Sequence, residues 1–308
     1  MTGQGSIPPV GIWTPVFDRV PGNRVCELAV ELEELGYGAI WLPEGLGKDP
    51  FIELALLLSA TRSIIGATGI ANIWARDAVT TACAARSLTD AFPERVLVGL
   101  GVSHRSLVSD VRGHRYAKPL EAMSNYLQAV HNAPYTAVRS GSEPRYLLAA
   151  LGPRMLALAA TRTSGAHTYL VTPEHTAGAR KELGAAALLC PQQAVILDTN
   201  GERARNAARD YLAGYLAMPN YRNNLARLGF HDDLDRGGTD RLIDALVPWG
   251  DVALIRQRVR DHLDAGADHV AIHVVVPDSG DPVPREQWRI LAPAVVGLSA
   301  APHPASVR

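Results

Sequence analysis

"IIGATGIANIW", residues 64–74, starts as a buried β-strand and then sheds its side chains. Two isoleucines are followed by Gly66, Ala67, Thr68 and Gly69, and the run ends on Asn72 beside Trp74. A short continuous apolar run between turn-forming residues reads as a strand buried on both faces of a parallel sheet. Upstream, Asp49-Pro50 opens the helix "FIELALLLSATRS" with an acceptor side chain followed by a residue that has no amide hydrogen to leave unpaired. Downstream, Asp77 opens "AVTTACAARSLTDAF", which Pro93 stops.

The same alternation extends in both directions. "PVGIW" (9–13), "GAIWLP" (38–43), "RVLVGLG" (95–101), "RYLLAA" (145–150), "HTYLV" (167–171), "AVILD" (194–198) and "HVAIHVVV" (269–276) read as the other strands. Asn23 is placed to cap a helix with Val25, Leu28, Ala29, Leu32 and Leu35 on one face, and Gly36 suits its left-handed end. Strands separated by helices must pair in parallel through right-handed crossovers. The prediction is an α/β protein, a TIM (β/α)8 barrel spanning 1–308 as one domain. "ERARNAARDYLAGYLAMPNYRNNLARLGF" reads as continuous helix, so a helical insertion is expected at about 202–250 in the C-terminal half. An open doubly wound sheet is the alternative fold.

The 308 residues are 47% hydrophobic, with Lys+Arg 30 against Asp+Glu 31 and a net charge of -1. Without a basic run, a nucleic-acid or anionic-membrane surface is not indicated, and a small-molecule ligand is expected. Cys26, Cys83 and Cys190 lie far apart and form no CxxC, which argues against disulfides and thiolate metal sites and fits a reducing cytoplasm. No signal-peptide pattern opens the sequence, and no run approaches about 18 apolar residues.

Chemistry in a barrel gathers at the C-terminal ends of the strands. Glu44 follows the second strand; it either caps the next helix, pairs with Lys48, or accepts a hydrogen bond from a bound hydroxyl. "GLGVSH" (99–104) departs from the dinucleotide fingerprint, because His104 stands where the third glycine belongs. Gly99 and Gly101 read instead as thinning the strand so that a flat ligand can meet the backbone. His104 is the candidate for proton transfer, against the plainer role of a loop histidine. His269 and His273 are ~13 Å apart along one strand, too far to share a metal, and read as barrel-lining or solvated residues. No HExxH or GxSxG is present, and no metal is expected. The amides at Gly152-Pro153 open a helix and could hold an anion or simply form a turn.

Together "GIWTP", "GYGAIWLPE", "GATGIANIWARDAVTTA", "RVLVGLGVSH", "LLAALGPRMLALAA" and "LDAGADHV" resemble the bacterial luciferase-like superfamily, in particular its coenzyme F420-dependent oxidoreductases, over about 10–298. The resemblance implies a barrel holding a deazaflavin at its mouth, with a non-prolyl cis peptide at Gly69-Ile70 behind the ring and Asn72 at the ring's edge. Gly66, Ala67 and Gly69 would then be bare to admit the ring. It implies cofactor contacts from Glu44, from Gly101, Val102 and Ser103 with His104 at the reactive side, and from Ala150, Leu151, Gly152, Pro153 and Met155 along the ring and its ribityl-phosphate tail.

The glucose-6-phosphate dehydrogenases of the superfamily place His after the strand-two acid and Glu in the strand-four loop, where this chain has Gly45 and His104. A sugar phosphate is therefore not expected, and the proton role falls to His104. The expected activity is F420-dependent hydride transfer to or from a small organic substrate. An FMN-dependent monooxygenase and a non-catalytic deazaflavin-binding barrel are the alternatives. Trp13 and Trp74, with Tyr215 and Tyr221, are expected to line the substrate pocket, and a homodimer is expected through barrel helices such as 78–92.

Overall fold

The computed structural model describes residues 7–139, 141–235, 237–277 and 282–300. The chain ends included in the 1–308 expectation lie outside the described residues. Eight parallel strands close into a barrel: β1 Val10–Trp13, β2 Ala39–Leu42, β3 Ile65–Asn72, β4 Val96–Gly101, β5 Arg145–Ala149, β6 Gly165–Thr168, β7 Leu188–Val195 and β8 Val270–Val274. Each strand bonds to its sequence neighbours, and β8 returns to β1 with Val10 opposite Val270.

The helices after the strands are α1 Gly22–Glu34, α2 Pro50–Ala60, α3 Ala78–Ala91, α4 Pro119–His131, α5 Pro153–Arg162 and α6 Pro173–Leu183. Asp49 and Asp77 cap α2 and α3 as their sequence positions predict, each accepting from main-chain N–H groups of the first turn. Gly36 takes φ +88° just past α1. Asn23, in contrast, lies inside α1, which starts at Gly22 without a side-chain cap.

After β7 the chain makes α7 Gly201–Leu216, α8 Pro219–Arg227, α9 His231–Leu234 and α10 Asp240–Leu246 before α11 Val252–Asp264. Helix α12, Arg285–Val295, follows β8. The inserted segment is thus helical where expected but broken, because Pro219 cannot donate into a continuing helix and restarts it as the first residue of α8. These helices bury their own apolar cluster, including Leu212, Leu225, Leu242 and Ile243, against Leu170 and Ile196 at the barrel's end.

Two strands lie earlier than the hydrophobic runs suggest. β6 covers Gly165–Thr168 rather than 167–171, and β7 covers Leu188–Val195 rather than 194–198. Pro191 and two glutamines disguise β7. Gln193 is buried because its amide donates to the Ala194 and Leu246 carbonyls (2.7 and 2.9 Å) and its oxygen meets His262 Nε2 at 2.8 Å.

Alternation along the strands separates two cores. Ile12, Ile40 and Val98 face the helices, whereas Ala39, Trp41, Ala67, Leu97 and Cys190 fill the barrel axis. There Trp41 stacks on His167 at 4.5 Å and donates its indole N–H to His269 Nε2 at 2.9 Å. This layer floors the mouth.

Candidate active site

The end of β3 carries the distinctive backbone. The Gly69-Ile70 peptide is cis, and pairing with β4 shifts between Thr68 and Ala71. Trp13 Nε1–H donates to the Gly69 carbonyl at 2.8 Å. Asn72 is 1% exposed; its Oδ1 accepts from Trp74 N at 3.0 Å, and its Nδ2 is buried with no partner.

The glycines have a different cause from the one expected. A Cβ at Gly66 would meet Leu54 and Leu58 of α2, and one at Gly69 would lie 2.7 Å from the Trp13 indole nitrogen. One at Gly99 would lie 2.2 Å from the Thr68 carbonyl oxygen, and one at Gly101 2.3 Å from Ile70 Cδ1. Ala67 is fully buried in the axial core. Missing side chains around the bulge thus make room for the protein's own tryptophan, isoleucine and carbonyl.

Glu44 neither caps α2 nor pairs with Lys48, which binds Glu53 instead. Its carboxylate forms a bidentate pair with Arg76 (2.7 and 2.6 Å) and accepts from Asn72 N at 2.7 Å, while Glu44 N donates to Ile70 O at 3.2 Å. Arg76 also reaches Asp49 at 2.8 Å and lies over the Phe51 ring. Burial opposes the Arg76 charge, but Glu44 and then Asp49 outweigh it and hold the guanidinium above its ordinary range. Arg76 has no signal in the sequence: it pairs with an acid 32 positions away.

The β4 loop places Ser103 in the left-handed region, φ +55°, with its carbonyl accepting from Tyr116 Oη. Val102 O accepts from Trp74 Nε1 at 3.1 Å. His104 packs 5.6 Å from Tyr221. Burial pushes its imidazole below the ordinary value, and a hydrogen bond with Asn220 pulls the other way.

Barrel closure joins several expected residues into an aromatic box. Tyr221 lies 5.6 Å from Tyr215 and 6.2 Å from Tyr169, and Tyr169 lies 5.3 Å from Trp13. The Tyr169 hydroxyl bonds those of Tyr211 (2.8 Å) and Tyr215 (3.1 Å). His273 completes the box at 4.7 Å from Trp13. Trp74 stands apart, near His114. Sequence reasoning left out Tyr169 and Tyr211 and read His273 only as barrel-lining or solvated; the i, i+4 spacing of Tyr211 and Tyr215 on α7 was the available signal.

At the start of α5, Ala150 is buried and donates its N–H to the His167 carbonyl, while the Leu151 carbonyl accepts from His175 Nε2 at 2.9 Å. Gly152 precedes Pro153 at the first helical position, and Met155 is half-buried against the main core. A Cβ on Gly152 would sit 3.5 Å from the Arg227 guanidinium, which donates to Asn224 Oδ1 at 3.2 Å. Helix N–H groups beside a guanidinium are chemically suited to an anion. Among the described residues no group of His, Cys, Asp and Glu is placed to hold a metal ion, and no helix is long and apolar enough to cross a membrane.

Eight parallel strands closed into a barrel and separated by helices, with unpartnered buried polar atoms of Asn72, Gln192 and His273 toward the C-terminal ends of their strands, define a TIM barrel. The chain belongs to the luciferase-like monooxygenase family, whose pattern matches residues 9–269. A Mycobacterium tuberculosis protein named as a coenzyme F420-dependent oxidoreductase is 28% identical over 39% of this chain, a match spanning only 35% of that relative. The 5,10-methylenetetrahydromethanopterin reductase of Methanolobus tindarius is 25% identical over 64% of this chain and 68% of its own length. An F420-dependent secondary alcohol dehydrogenase, solved with an F420-acetone adduct, shares the fold at TM-score 0.75 and 16% identity over 94% of this chain and 99% of its own. So does an FMN-bound type II Baeyer-Villiger monooxygenase from Pseudomonas putida, at TM-score 0.66 and 14% identity over 93% and 98%.

Proposed function

We propose that the chain is an oxidoreductase that uses coenzyme F420 to exchange a hydride with a small organic substrate. One observation carries the reading: Asn72 Nδ2 is a buried donor without a partner at the edge of the β3 bulge. Leaving such a donor unmade costs about 1–3 kcal/mol, which an acceptor on the edge of a planar ring would recover. The coenzyme F420 in the name of the Mycobacterium tuberculosis relative supports a deazaflavin over a flavin.

When bound, the cofactor supplies a ring carbon that gives or takes hydride. The ring would be held by the bulge at Gly69 and Ile70, by Asn72, and by the segments Gly101–Ser103 and Ala150–Leu151 with Met155. The Gly152-Pro153 amides and Arg227 would take the phosphate of the tail. Glu44 has both carboxylate oxygens engaged by protein, so its part is to hold the Asn72 backbone in place. His104 handles the substrate's proton. Burial keeps it neutral near pH 7, able to accept a proton as substrate is oxidised and to return it in the reverse direction. Trp13, Tyr215 and Tyr221 wall the substrate space, and Trp74 borders it through the β4 loop.

Equilibrium titration of the purified protein with F420 and with FMN tests this. Micromolar F420 binding, with FMN weaker by about tenfold or more, is expected. FMN binding with none of the deazaflavin would overturn it in favour of the monooxygenase reading, which the FMN-bound neighbour supports.

Homodimer formation belongs to the same proposal, through α2 rather than α3 alone. The small residues Ala82 and Ala85 of α3 are buried against the protein's own barrel, whereas Ile52 and Leu56 of α2 are exposed one turn apart. A cytoplasmic setting belongs to the same proposal, in which the free Cys26, Cys83 and Cys190 would stay reduced.

A further inference from the structure

The aromatic box satisfies most of its own polar groups and leaves two aside. His273 on β8 is 8% exposed, and its Nδ1 is buried without a partner. Gln192 on β7 is 1% exposed; it reaches toward the Tyr211 hydroxyl but closes no hydrogen bond of normal geometry at either amide atom. The two strands are neighbours, with Gln192 opposite Ala271, two residues before His273 on the same face. Tyr211 packs edge-on to His273 at 5.2 Å.

Tyr211, which packs on His273, also lines a cleft of about 600 Å³ between α7 and Val275, Val276 and Pro277 just after β8. The cleft is also lined by Glu202 and Asp210, while its Arg203 is committed to Asp198. Among the described residues, the cleft thus carries two acids that its one arginine is not free to balance.

We propose that Gln192 and His273 form the polar anchor of the substrate pocket, and that the substrate is a neutral molecule presenting a hydroxyl or carbonyl oxygen to them through the α7–β8 cleft. The redox role of that molecule rests on the F420 reading; the anchor does not. A neutral imidazole and a carboxamide each offer a donor and an acceptor, which a hydroxyl can answer on both sides and a carbonyl on one. Burial holds the His273 imidazole down at about 3, so it is uncharged at neutral pH. A carboxylate would have to pass like charges on the wall and then be buried beside an uncharged ring. An ammonium would be held at the wall and find no carboxylate at the anchor.

The test uses protein carrying ¹⁵N-labelled histidine, with and without F420, titrated with cyclohexanol, cyclohexanecarboxylate and cyclohexylamine. Long-range ¹H–¹⁵N spectra report the ring nitrogens, with His273→Phe assigning the signals. Cyclohexanol should shift the His273 nitrogens saturably, the other two probes should not, and Gln192→Leu should weaken cyclohexanol binding by about tenfold. Equal response to the carboxylate, or cyclohexanol binding that leaves the His273 nitrogens and the Gln192→Leu affinity unchanged, would overturn the proposal. Deazaflavin fluorescence titration of the same proteins keeps the two readings apart. Wild-type protein that fails to bind F420 sinks the cofactor assignment while the cyclohexanol result still decides the anchor.

Discussion

Arg76→Met should be among the most damaging single changes near the mouth, because it strands a charge. The Arg76 and Glu44 side chains are 10% and 7% exposed, and their paired contacts at 2.7 and 2.6 Å leave little room for water. Removing one member of a buried pair typically costs about 3–5 kcal/mol, since the other stays buried and uncompensated. The guanidinium lies 4.9 Å from the Phe51 ring centre, a contact worth about 0.5–1 kcal/mol more. Its bond to Asp49, whose side chain is 40% exposed, adds little. After the change Glu44 keeps only the Asn72 N–H, so a loss of about 4 kcal/mol is expected. The double variant Glu44→Gln/Arg76→Met buries no charge and should recover about 2 kcal/mol of that loss. Urea unfolding followed by tryptophan fluorescence measures both. A single-variant loss below about 1 kcal/mol, or a double variant as unstable as the single, would refute the clamp.

Gly99→Ala should destabilise more than Gly101→Ala, because the first meets the fixed Thr68 carbonyl and the second a movable Ile70 methyl. About 1–3 kcal/mol is expected for Gly101→Ala and more for Gly99→Ala, and the reverse order in urea unfolding would contradict the packing account. Four buried histidines predict acid sensitivity: His167 and His269 are pushed down to about 4, His262 and His273 to about 3. Their depressed values mean that the unfolded chain takes protons first. Their contribution is thus complete above about pH 6.5 and lost as pH falls toward 4. At pH 5 each costs about 2 kcal/mol relative to pH 7, and denaturation midpoints equal at the two pH values would contradict this burial. Ile52→Lys should convert a dimer to a monomer in light scattering with the fold intact by circular dichroism; an unchanged mass would remove α2 from the interface.

The barrel was legible because strand and helix signals alternate with strong caps, above all at Asp49 and Asp77. β7 was misplaced because its burial depends on Gln193 finding partners in α10 and α11, a tertiary fact that hydrophobicity cannot register. The bulge position and Asn72 were readable only through family resemblance. The reason for the glycines was not readable at all, since Trp13 reaches Gly69 across 56 residues and Ile70 reaches Gly101 across the β3–β4 pair. Glu44 does follow the second strand, but its partner Arg76, 32 positions on, carries no local signal of that pairing. The aromatic box needs barrel closure to bring β6, β8 and α7 together, so it has no local signature.

A crystal structure of the protein soaked with F420 tests the central claim most directly. The account predicts the deazaflavin ring seated on the Gly69-Ile70 bulge, with Asn72 Nδ2 about 3 Å from a ring acceptor and the tail phosphate between the start of α5 and Arg227. A ring bound elsewhere on the barrel, or one at the mouth with Asn72 Nδ2 still without a partner, would contradict it.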